Sequence, residues 1–358
     1  MHRIPQPVAD ILELARWAPS GDNTQPWRFE VLDERHLVVH AFDTRGHCVY
    51  DLDGRPSQIA LGALLETLAI AASAHAMRVE FTRRPGLPDT HPEYLAELIP
   101  GSLPLPDPLL PHIKHRSVQR RSMRTTPLTE LQKQTLQRAI GPSYTVQWFE
   151  GWKLRWLMAR LMFDNAKLRL TLPEAYLIHR DIIEWKARFS EEKVPDQALG
   201  LDSMTLKLMR WVMASWQRVD FFNTYLAGHL IPRIEMDLLP GVFCAAHFAI
   251  LAHKAPESID DYVAVGRAVQ RFWLTATSLE LQLQPELTPL IFSRYVRAGR
   301  TFSRELNAID TARGLAERLF VLLNAGSAER AVFLGRIGNG PVATSRSLRL
   351  PVERLRSA

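Results

Sequence analysis

The chain has 358 residues, of which 46% are hydrophobic and 23% are charged. This balance excludes a disordered or fibrous protein, and the length predicts about two domains. The net charge is +6, and arginine supplies 36 of the basic residues against 8 lysines. An anionic ligand and a bias in codon usage both explain such a ratio.

Neither the cysteines nor the apolar segments indicate an exported or membrane protein. Cys48 and Cys244 match no metal-binding or paired-redox spacing, so we expect no disulfide scaffold or zinc site. The first 15 residues lack the apolar run of a secretory signal. The most apolar windows, 59–77 and 238–252, are interrupted by Glu66 or are too short to span a membrane. We therefore expect a cytoplasmic protein without a membrane partner.

The first predicted elements are a helix and a hairpin. Apolar residues recur at helical spacing from Val8 to Ala15, and Pro19 ends this helix. Apolar and polar residues then alternate over 27–31 and again over 37–42. This alternation predicts two strands joined by a polar turn.

A long central helix follows, with Ser57 as its expected N-cap and an apolar stripe over 61–72. A strand is predicted over 77–82. The stretch 85–111 is rich in proline and has no periodicity, so it is interpreted as a connection. We place a domain boundary between residues 111 and 112.

The second half begins with a similar order of elements. Thr129 and Gln132 have the spacing of a capping box, which predicts a helix, and a strand follows over 144–150. Residues 17–30 and 140–150 look like two copies of one helix, turn and strand unit. A chance match explains so short a similarity equally well.

Residues 151–239 are predicted to be a largely helical insertion, with a polar, mobile loop at 190–203 that suggests a lid. Further strands are predicted over 241–252 and 331–337, and a helix capped by Ser258 lies between them. The alternation of helices and strands indicates an α+β fold.

The segment from Pro19 to Trp27, Pro-Ser-Gly-Asp-Asn-Thr-Gln-Pro-Trp, is the first candidate site. Its backbone N–H groups and short side chains suit a flat heteroaromatic ring that carries carbonyl and ring-nitrogen acceptors. A turn that only terminates a helix has the same composition.

Two arginine-rich segments are the other candidates. The run 116–124 holds Arg116, Arg120 and Arg121 before a capped helix, which suits a phosphate dianion. A solvated basic face or a nucleic-acid patch is the alternative, although the run holds no aromatic residue. The tail segment 345–351 offers a second guanidinium pair, Arg346 and Arg349, or a frayed basic tail.

The sequence holds no HExxH, nucleophile elbow, P-loop or GxGxxG motif, and its histidines form no ligand cluster. We assign no catalytic acid or base and expect no metal.

Together these segments resemble the nitroreductase superfamily, whose members carry an arginine-rich segment, a Pro-Ser-x-x-Asn-x-Gln-Pro-Trp turn and a basic Arg-x-Pro tail. The turn stands first here and the arginines follow, an order similar to the double-domain, dormancy-associated Acg-type branch. Ordinary nitroreductases are dimers that share two FMN sites at their interface. The resemblance implies a nitroreductase-like fold of two related halves, 1–111 and 112–358. They would form an internal pseudo-dimer, and further dimerisation stays open.

The resemblance also implies one FMN per chain, because the second half lacks a Gly-Asp-Asn turn and the first half lacks the arginines. The residues it assigns to FMN are Pro19, Ser20, Gly21, Asn23, Gln25, Arg116, Arg120, Arg121, Arg346 and Arg349. The implied activity is transfer of reducing equivalents from NAD(P)H to a small conjugated acceptor, with no nucleic-acid partner. The alternatives are a flavin-sequestering protein with a closed site and a scaffold that binds no flavin.

Overall fold

The computed structural model of the protein describes residues 4–101 and 105–357, so residues 1–3, 102–104 and 358 of the predicted segments lie outside it. The α-helices of the described ranges are α1 (Val8–Ala15), α2 (Arg55–Ala72), α3 (Glu130–Ala139), α4 (Gly151–Thr171), α5 (Pro173–Ile182), α6 (Ser203–Val212), α7 (Trp216–Tyr225), α8 (Leu230–Arg233), α9 (Leu239–Val242), α10 (Ile259–Ser278), α11 (Thr288–Arg297), α12 (Leu306–Leu323) and α13 (Ala325–Ala328). The strands are β1 (Trp27–Val31), β2 (His36–Ala41), β3 (Met77–Arg83), β4 (Glu93–Pro100), β5 (Tyr144–Phe149), β6 (Ile183–Glu184), β7 (Phe189–Ser190), β8 (Val194–Pro195), β9 (Ala246–Ala252), β10 (Leu281–Pro285), β11 (Ala331–Asn339) and β12 (Arg346–Ser347). This mixture of helices and strands agrees with the predicted class of fold.

The first unit contains an antiparallel sheet with strand order β1-β2-β4-β3. Trp27 and Phe29 on β1 are buried and alternate with more exposed polar residues, so one face of the strand joins the core. The apolar stripe of α1 adds Val8, Ile11 and Leu12 to the same core. The predicted first helix and hairpin are confirmed.

Two predictions about this unit are wrong. The connection expected over 85–111 contains β4, which pairs with both β2 and β3. Most of this strand alternates between buried and more exposed residues, as is typical of a strand with one face in the core. The central helix begins at Arg55, with Gly54 at its N-cap at a φ of 73°. Ser57, the expected N-cap, lies inside the helix, and its hydroxyl donates to Asp51 Oδ2 at 2.6 Å.

The second unit contains an antiparallel sheet with strand order β10-β11-β9-β5. Its elements α3, β5, β9, α10, β10 and β11 follow the same order as α1, β1, β2, α2, β3 and β4 of the first unit. In both sheets the last strand in sequence lies between the second and the third. The capping box at Thr129 and the cap at Ser258 are confirmed, and Ser258 forms a capping box with Asp261.

The two units pack through α2 and α10, which meet at a pair of glycines. A Cβ on Gly62 would lie 2.0 Å from the carbonyl oxygen of Val263, and one on Gly266 would lie 2.0 Å from that of Ile59. Because no real Cβ approaches an oxygen so closely, the crossing requires glycine at both positions. The helical segment Arg55–His75 has the length and the mean hydropathy, 1.4, of a membrane span, yet 83% of its apolar window is buried inside the structure.

The segment between β5 and β9 contains α4 to α9 and the short strands β6 to β8, in agreement with a largely helical insertion. The predicted loop 190–203 contains β8 and a 3-10 turn, Asp196–Ala198. The strand expected over 241–252 begins only at Ala246, because α9 continues to Val242. Helices α11 and α12 have no counterpart among the predicted elements.

The C-terminal tail crosses back to the first unit. Leu350, Val352 and Leu355 are buried in the core that α1, α2 and the first sheet form. The backbone N–H of Ser357 donates to the carbonyl oxygen of Phe29 at 2.8 Å. The segment that carries the tail arginines is therefore tied to the first unit, while the boundary between residues 111 and 112 stays a prediction.

Candidate functional site

The turn that joins α1 to β1 has a strained backbone. Asp22, Asn23 and Gln25 have positive φ values of 50°, 62° and 48°. Asn and Asp tolerate this left-handed region because their short side chains bond locally, whereas Gln is less suited to it. A Cβ on Gly21 would meet no atom within 4 Å, and the positive φ values lie at residues after this glycine. Strain of this kind is concentrated at functional sites.

Hydrogen bonds hold the turn in place. The backbone N–H of Gln25 donates to Ser20 Oγ at 3.0 Å, and Gln25 Oε1 accepts from the N–H of Leu350 at 2.9 Å. Asn23 is 4% exposed, and its Oδ1 is buried without a hydrogen-bond partner among the described residues. The turn is therefore fixed to the tail and retains one unpaired acceptor.

Three arginines from two segments, the basic run and the tail, meet at the end of α1, and we call Arg116, Arg346 and Arg349 the arginine cluster. Arg116 Nη2 donates to the carbonyl oxygen of Trp17 at 2.9 Å. Arg349 Nε donates to that of Ala18, also at 2.9 Å. The guanidinium of Arg346 lies over the Trp17 ring, 5.0 Å from its centroid. The cluster therefore adjoins the start of the turn.

Two members of the arginine cluster are buried, Arg346 is half-buried, and none of the three forms an ion pair with a carboxylate in the described part of the chain. Arg116 is 3% exposed and Arg349 is 7% exposed. The hydrogen bonds that the three side chains make within the described ranges go to backbone carbonyls. Burial, with Arg346 and Arg16 nearby, lowers the pKa of Arg349 to about 9, and burial with Arg349 and Arg346 lowers that of Arg116. Since guanidinium groups stay charged at neutral pH, an anion would stabilise this site.

The basic run is divided between different surroundings. Arg120 Nη1 donates to the carbonyl oxygen of Ala198 at 3.1 Å, and its side chain lines a cavity that Asp22 also lines. Arg121 is exposed to solvent. The structure thus brings Arg116 to the turn, places Arg120 at the cavity and leaves Arg121 outside.

A segment of the insertion, residues 188–195, covers the turn and the tail, and we call it the strap. The side-chain amides of Asn23 and Gln25 donate to the carbonyl oxygen of Glu191, at 3.0 and 2.9 Å. Strand β7 pairs in parallel with β12, which joins the strap to the tail. The loop predicted to be mobile is thus held to the turn by side-chain hydrogen bonds from Asn23 and Gln25 and to the tail by strand pairing.

A cavity of about 500 Å³ lies beside the turn, between the insertion and the second sheet. Its volume falls within the roughly 300–1,000 Å³ of small-molecule sites. Ion pairs link Arg169 to Asp237 at 3.1 Å and Arg336 to Glu286 at 2.9 Å. We call the charged side chains of the wall its ionic end. These residues are Asp22, Arg120, Arg169, Asp237, Glu286 and Arg336.

A buried ionic group supports this end of the cavity. Both ring nitrogens of His247 face acceptors, Glu286 Oε2 at 2.7 Å and the carbonyl oxygen of Gly241 at 2.8 Å, so the protonated ring satisfies both. Burial lowers the pKa of His247, but the charge of Glu286 outweighs it and raises that pKa overall. Arg336 Nη1 donates to Glu286 Oε1 at 2.9 Å. Sequence reasoning missed these residues, and the one signal was a charged residue within the apolar strands β9 and β11.

No protein-family model matches the chain. Over 300 residues, 81% of this chain, it is 24% identical to the uncharacterized protein MT1398 of Mycobacterium tuberculosis, and the match covers 40% of that protein. Over 55 residues, 14% of this chain, it is 44% identical to the 4-nitrobenzoate reductase of Nocardioides sp., and the match covers 22% of that protein. The chain thus matches less than half the length of either curated relative.

A similar solved structure is the crystal structure of a nitroreductase-like family protein from Bacillus cereus. It is 12% identical, covers 70% of this chain and 96% of its own, and has a TM-score of 0.34. The similarity to the reductase of Nocardioides supports the predicted resemblance to nitroreductases over one short segment. The double-domain branch stays a prediction.

Proposed function

We propose that the protein is an FMN-dependent oxidoreductase of the nitroreductase type, which binds one FMN per chain and uses NAD(P)H to reduce a small conjugated acceptor. The observation that carries this proposal is the arginine cluster at the start of the turn. Guanidinium groups that have no carboxylate partner among the described residues, two of them buried, suit a phosphate dianion, which accepts several charge-assisted hydrogen bonds.

The residues present fit the phosphate and the ring of FMN. The Nε of Arg116 is buried and unpaired within the described part of the chain, as is Oδ1 of Asn23. An unpaired buried polar group destabilises a protein by about 1–3 kcal/mol, so a ligand that pairs with it gains affinity. A phosphate oxygen fits the first group, and a ring N–H fits the second.

Each part of the site has a role in this proposal. The arginine cluster holds the phosphate, Arg120 lies at the edge toward the cavity, and Arg121 lies at the rim. The residues that contact the ring are those of the turn: Pro19, Ser20, Gly21, Asn23 and Gln25. Bound FMN supplies hydride and electron transfer, for which no side-chain acid or base is needed. The chain fixes the ring, and the strap excludes water from it.

We also propose that the two units are the halves of an internal pseudo-dimer, with the insertion as a lid. The matching order of six elements and of the strands in the two sheets supports this. The close crossing of α2 and α10 supports it as well, because it brings the backbones of the two units into direct contact. The flavin would then lie between the halves, as it lies between the subunits of ordinary nitroreductases.

The visible spectrum of the purified protein tests the proposal. We expect a yellow protein, or a colourless one that regains the flavin spectrum when FMN is added. A colourless protein that cannot be reconstituted would contradict FMN binding.

A flavin-sequestering protein is the second candidate, and the strap favours it, because its hydrogen bonds to Asn23 and Gln25 close one side of the turn. Anaerobic mixing of the FMN-loaded protein with NADH or NADPH separates the two functions. Rapid bleaching of the flavin band supports the oxidoreductase, and a flavin that stays oxidised supports sequestration. Because one relative is a 4-nitrobenzoate reductase, 4-nitrobenzoate is the first acceptor to test.

A further inference from the structure

The cavity beside the turn is apolar over most of its wall. Met162 on α4, Val212 on α6 and Phe222 on α7 all contribute to it. Leu226 and Ile231 also line the cavity, although they are 58% and 53% exposed. Part of the apolar wall is therefore exposed to solvent.

The ionic end of the cavity holds two unpaired donors. Arg336 is 2% exposed, and its Nε is buried without a hydrogen-bond partner among the described residues. Arg169 also lines the cavity, and its Nε is buried and unpaired in the same sense. Two guanidinium N–H groups left without acceptors in one cavity indicate a ligand that supplies acceptors there.

The carboxyl groups nearby do not supply enough negative charge to balance these cations. Glu286 is shared between Arg336, at 2.9 Å, and His247, at 2.7 Å, and the ring of His247 is itself a cation when it donates to both of its acceptors. One carboxylate therefore faces two positive charges.

The other charged residues of this end do not offset the excess positive charge at Glu286. Asp237 Oδ1 accepts from Arg169 Nη2 at 3.1 Å. Arg120 forms no ion pair with a carboxylate in the described part of the chain. The charge of Asp22 opposes the lowering of the Arg120 pKa by burial. Burial raises the pKa values of Asp22 and Asp237. An anion is the ligand that this end favours.

We infer that the cavity binds an elongated apolar carboxylate, whose oxygens accept from Arg169 and Arg336 and whose hydrocarbon body lies among α4, α6 and α7. A neutral molecule of the same length leaves the two Nε–H donors without a charged acceptor, and a cation is repelled by the guanidinium groups. This inference goes beyond the proposed function and requires no bound flavin.

Calorimetric titration with decanoate and decanol tests the inference, because the two molecules share a hydrocarbon chain and differ in the head group. We expect one decanoate per chain and an affinity for decanol that is at least about tenfold lower, as expected for hydrogen bonds to charged groups. Equal affinities for the two would overturn the inference.

Arg169→Gln removes one donor, and Arg160→Gln, on the exposed side of the same helix, is the matched control. We expect R169Q to weaken the binding of decanoate by about tenfold and to leave the affinity for decanol unchanged. We expect R160Q to change neither affinity. If R169Q does not fold, Arg169→Lys keeps the charge without the Nε–H and is expected to weaken decanoate by a smaller factor. Equal losses in R169Q and R160Q, or no loss in a folded Arg169 variant, would contradict the assignment.

Repeating the titration with FMN-saturated protein separates this inference from the proposed function. Decanoate that still binds to the FMN-loaded protein supports two separate sites. Decanoate that FMN displaces shows that the cavity is the flavin site and overturns the inference. A protein that binds decanoate but cannot bind FMN retains the inference and contradicts the proposed function.

Discussion

Arg349 links the tail to the turn through the hydrogen bond from its Nε to the Ala18 carbonyl oxygen. We expect Arg349→Gln to weaken FMN binding by about ten- to a hundredfold, because a hydrogen bond to a charged group contributes about 1.5–3 kcal/mol. Quenching of FMN fluorescence on binding measures the affinity.

The control for charge is Arg313→Gln on α12, which makes the same change at an exposed position. We expect this variant to bind FMN as the wild type does. Arg121→Gln is expected to have the smallest effect among the five predicted arginines, because Arg121 is exposed. Equal losses in R349Q and R313Q would mean that net charge, and not the cluster, governs binding.

His247 makes stability depend on pH. Its folded-state pKa is raised above the ordinary value of 6.5 by Glu286, although burial opposes the rise. The stabilisation is therefore fully present below about pH 6.5 and is lost as the pH rises through the folded-state pKa. We expect the free energy of unfolding to fall between about pH 6.5 and 10, measured by urea denaturation.

The variant His247→Gln tests the assignment of this slope. We expect it to be less stable at pH 6 by up to about 3 kcal/mol, since it breaks a buried ion pair, and to lose most of the decline above pH 6.5. A variant that keeps the wild-type slope would show that another group titrates in this range.

The sequence allows the turn and the arginines to be predicted, because each lies in a short segment whose composition stands out. It does not distinguish Arg120 from Arg121, since their surroundings depend on how the run packs against β10, where Val118 pairs with Leu283. Glu286 could not be predicted either, because its partners come from two other strands far away in the chain.

At the scale of elements, the crossing of α2 and α10 depends on two glycines. We expect Gly62→Ala to destabilise the protein by at least about 1–3 kcal/mol, because the new Cβ would lie 2.0 Å from the backbone oxygen of Val263 and the helices would have to separate. Thermal unfolding measures the change.

Gly314→Ala is the matched control, because this glycine lies in α12 and a Cβ there would meet no atom within 4 Å. We expect it to stabilise the protein by about 0.5–1 kcal/mol, as alanine does within helices. Destabilisation of similar size in both variants would argue against a close crossing.

Element boundaries were predictable where local chemistry sets them. Thr129 and Ser258 begin their helices because the capping box is made by residues three apart in sequence. The start of α2 was not predictable in this way, because Asp51 accepts the hydroxyl of Ser57 and Gly54 takes the cap position. Strand β4 was missed because the segment around it is rich in proline, which is typical of a connection and not of a strand.

At the scale of the whole molecule, the two units share an order of elements but differ where a flavin site would be built. In the first unit, residues 16–26 join the helix α1 to the strand β1 and contain the turn. In the second unit, residues 140–143 alone join α3 to β5. This connection is Ile-Gly-Pro-Ser and contains no equivalent of the Gly-Asp-Asn segment at residues 21–23. The described residues likewise form one arginine cluster, which consists of Arg116, Arg346 and Arg349.

We therefore expect FMN titration to saturate at one equivalent per chain, measured from flavin absorbance against protein concentration determined by amino-acid analysis. Titration of the variant Asn23→Ala is the more decisive experiment, because the substitution alters the turn that only the first unit has among the described residues. If the chain holds a single site, this variant weakens all of the bound FMN together. If a second site exists in the other unit, one equivalent still binds with the original affinity, and the proposed loss of symmetry between the units is wrong.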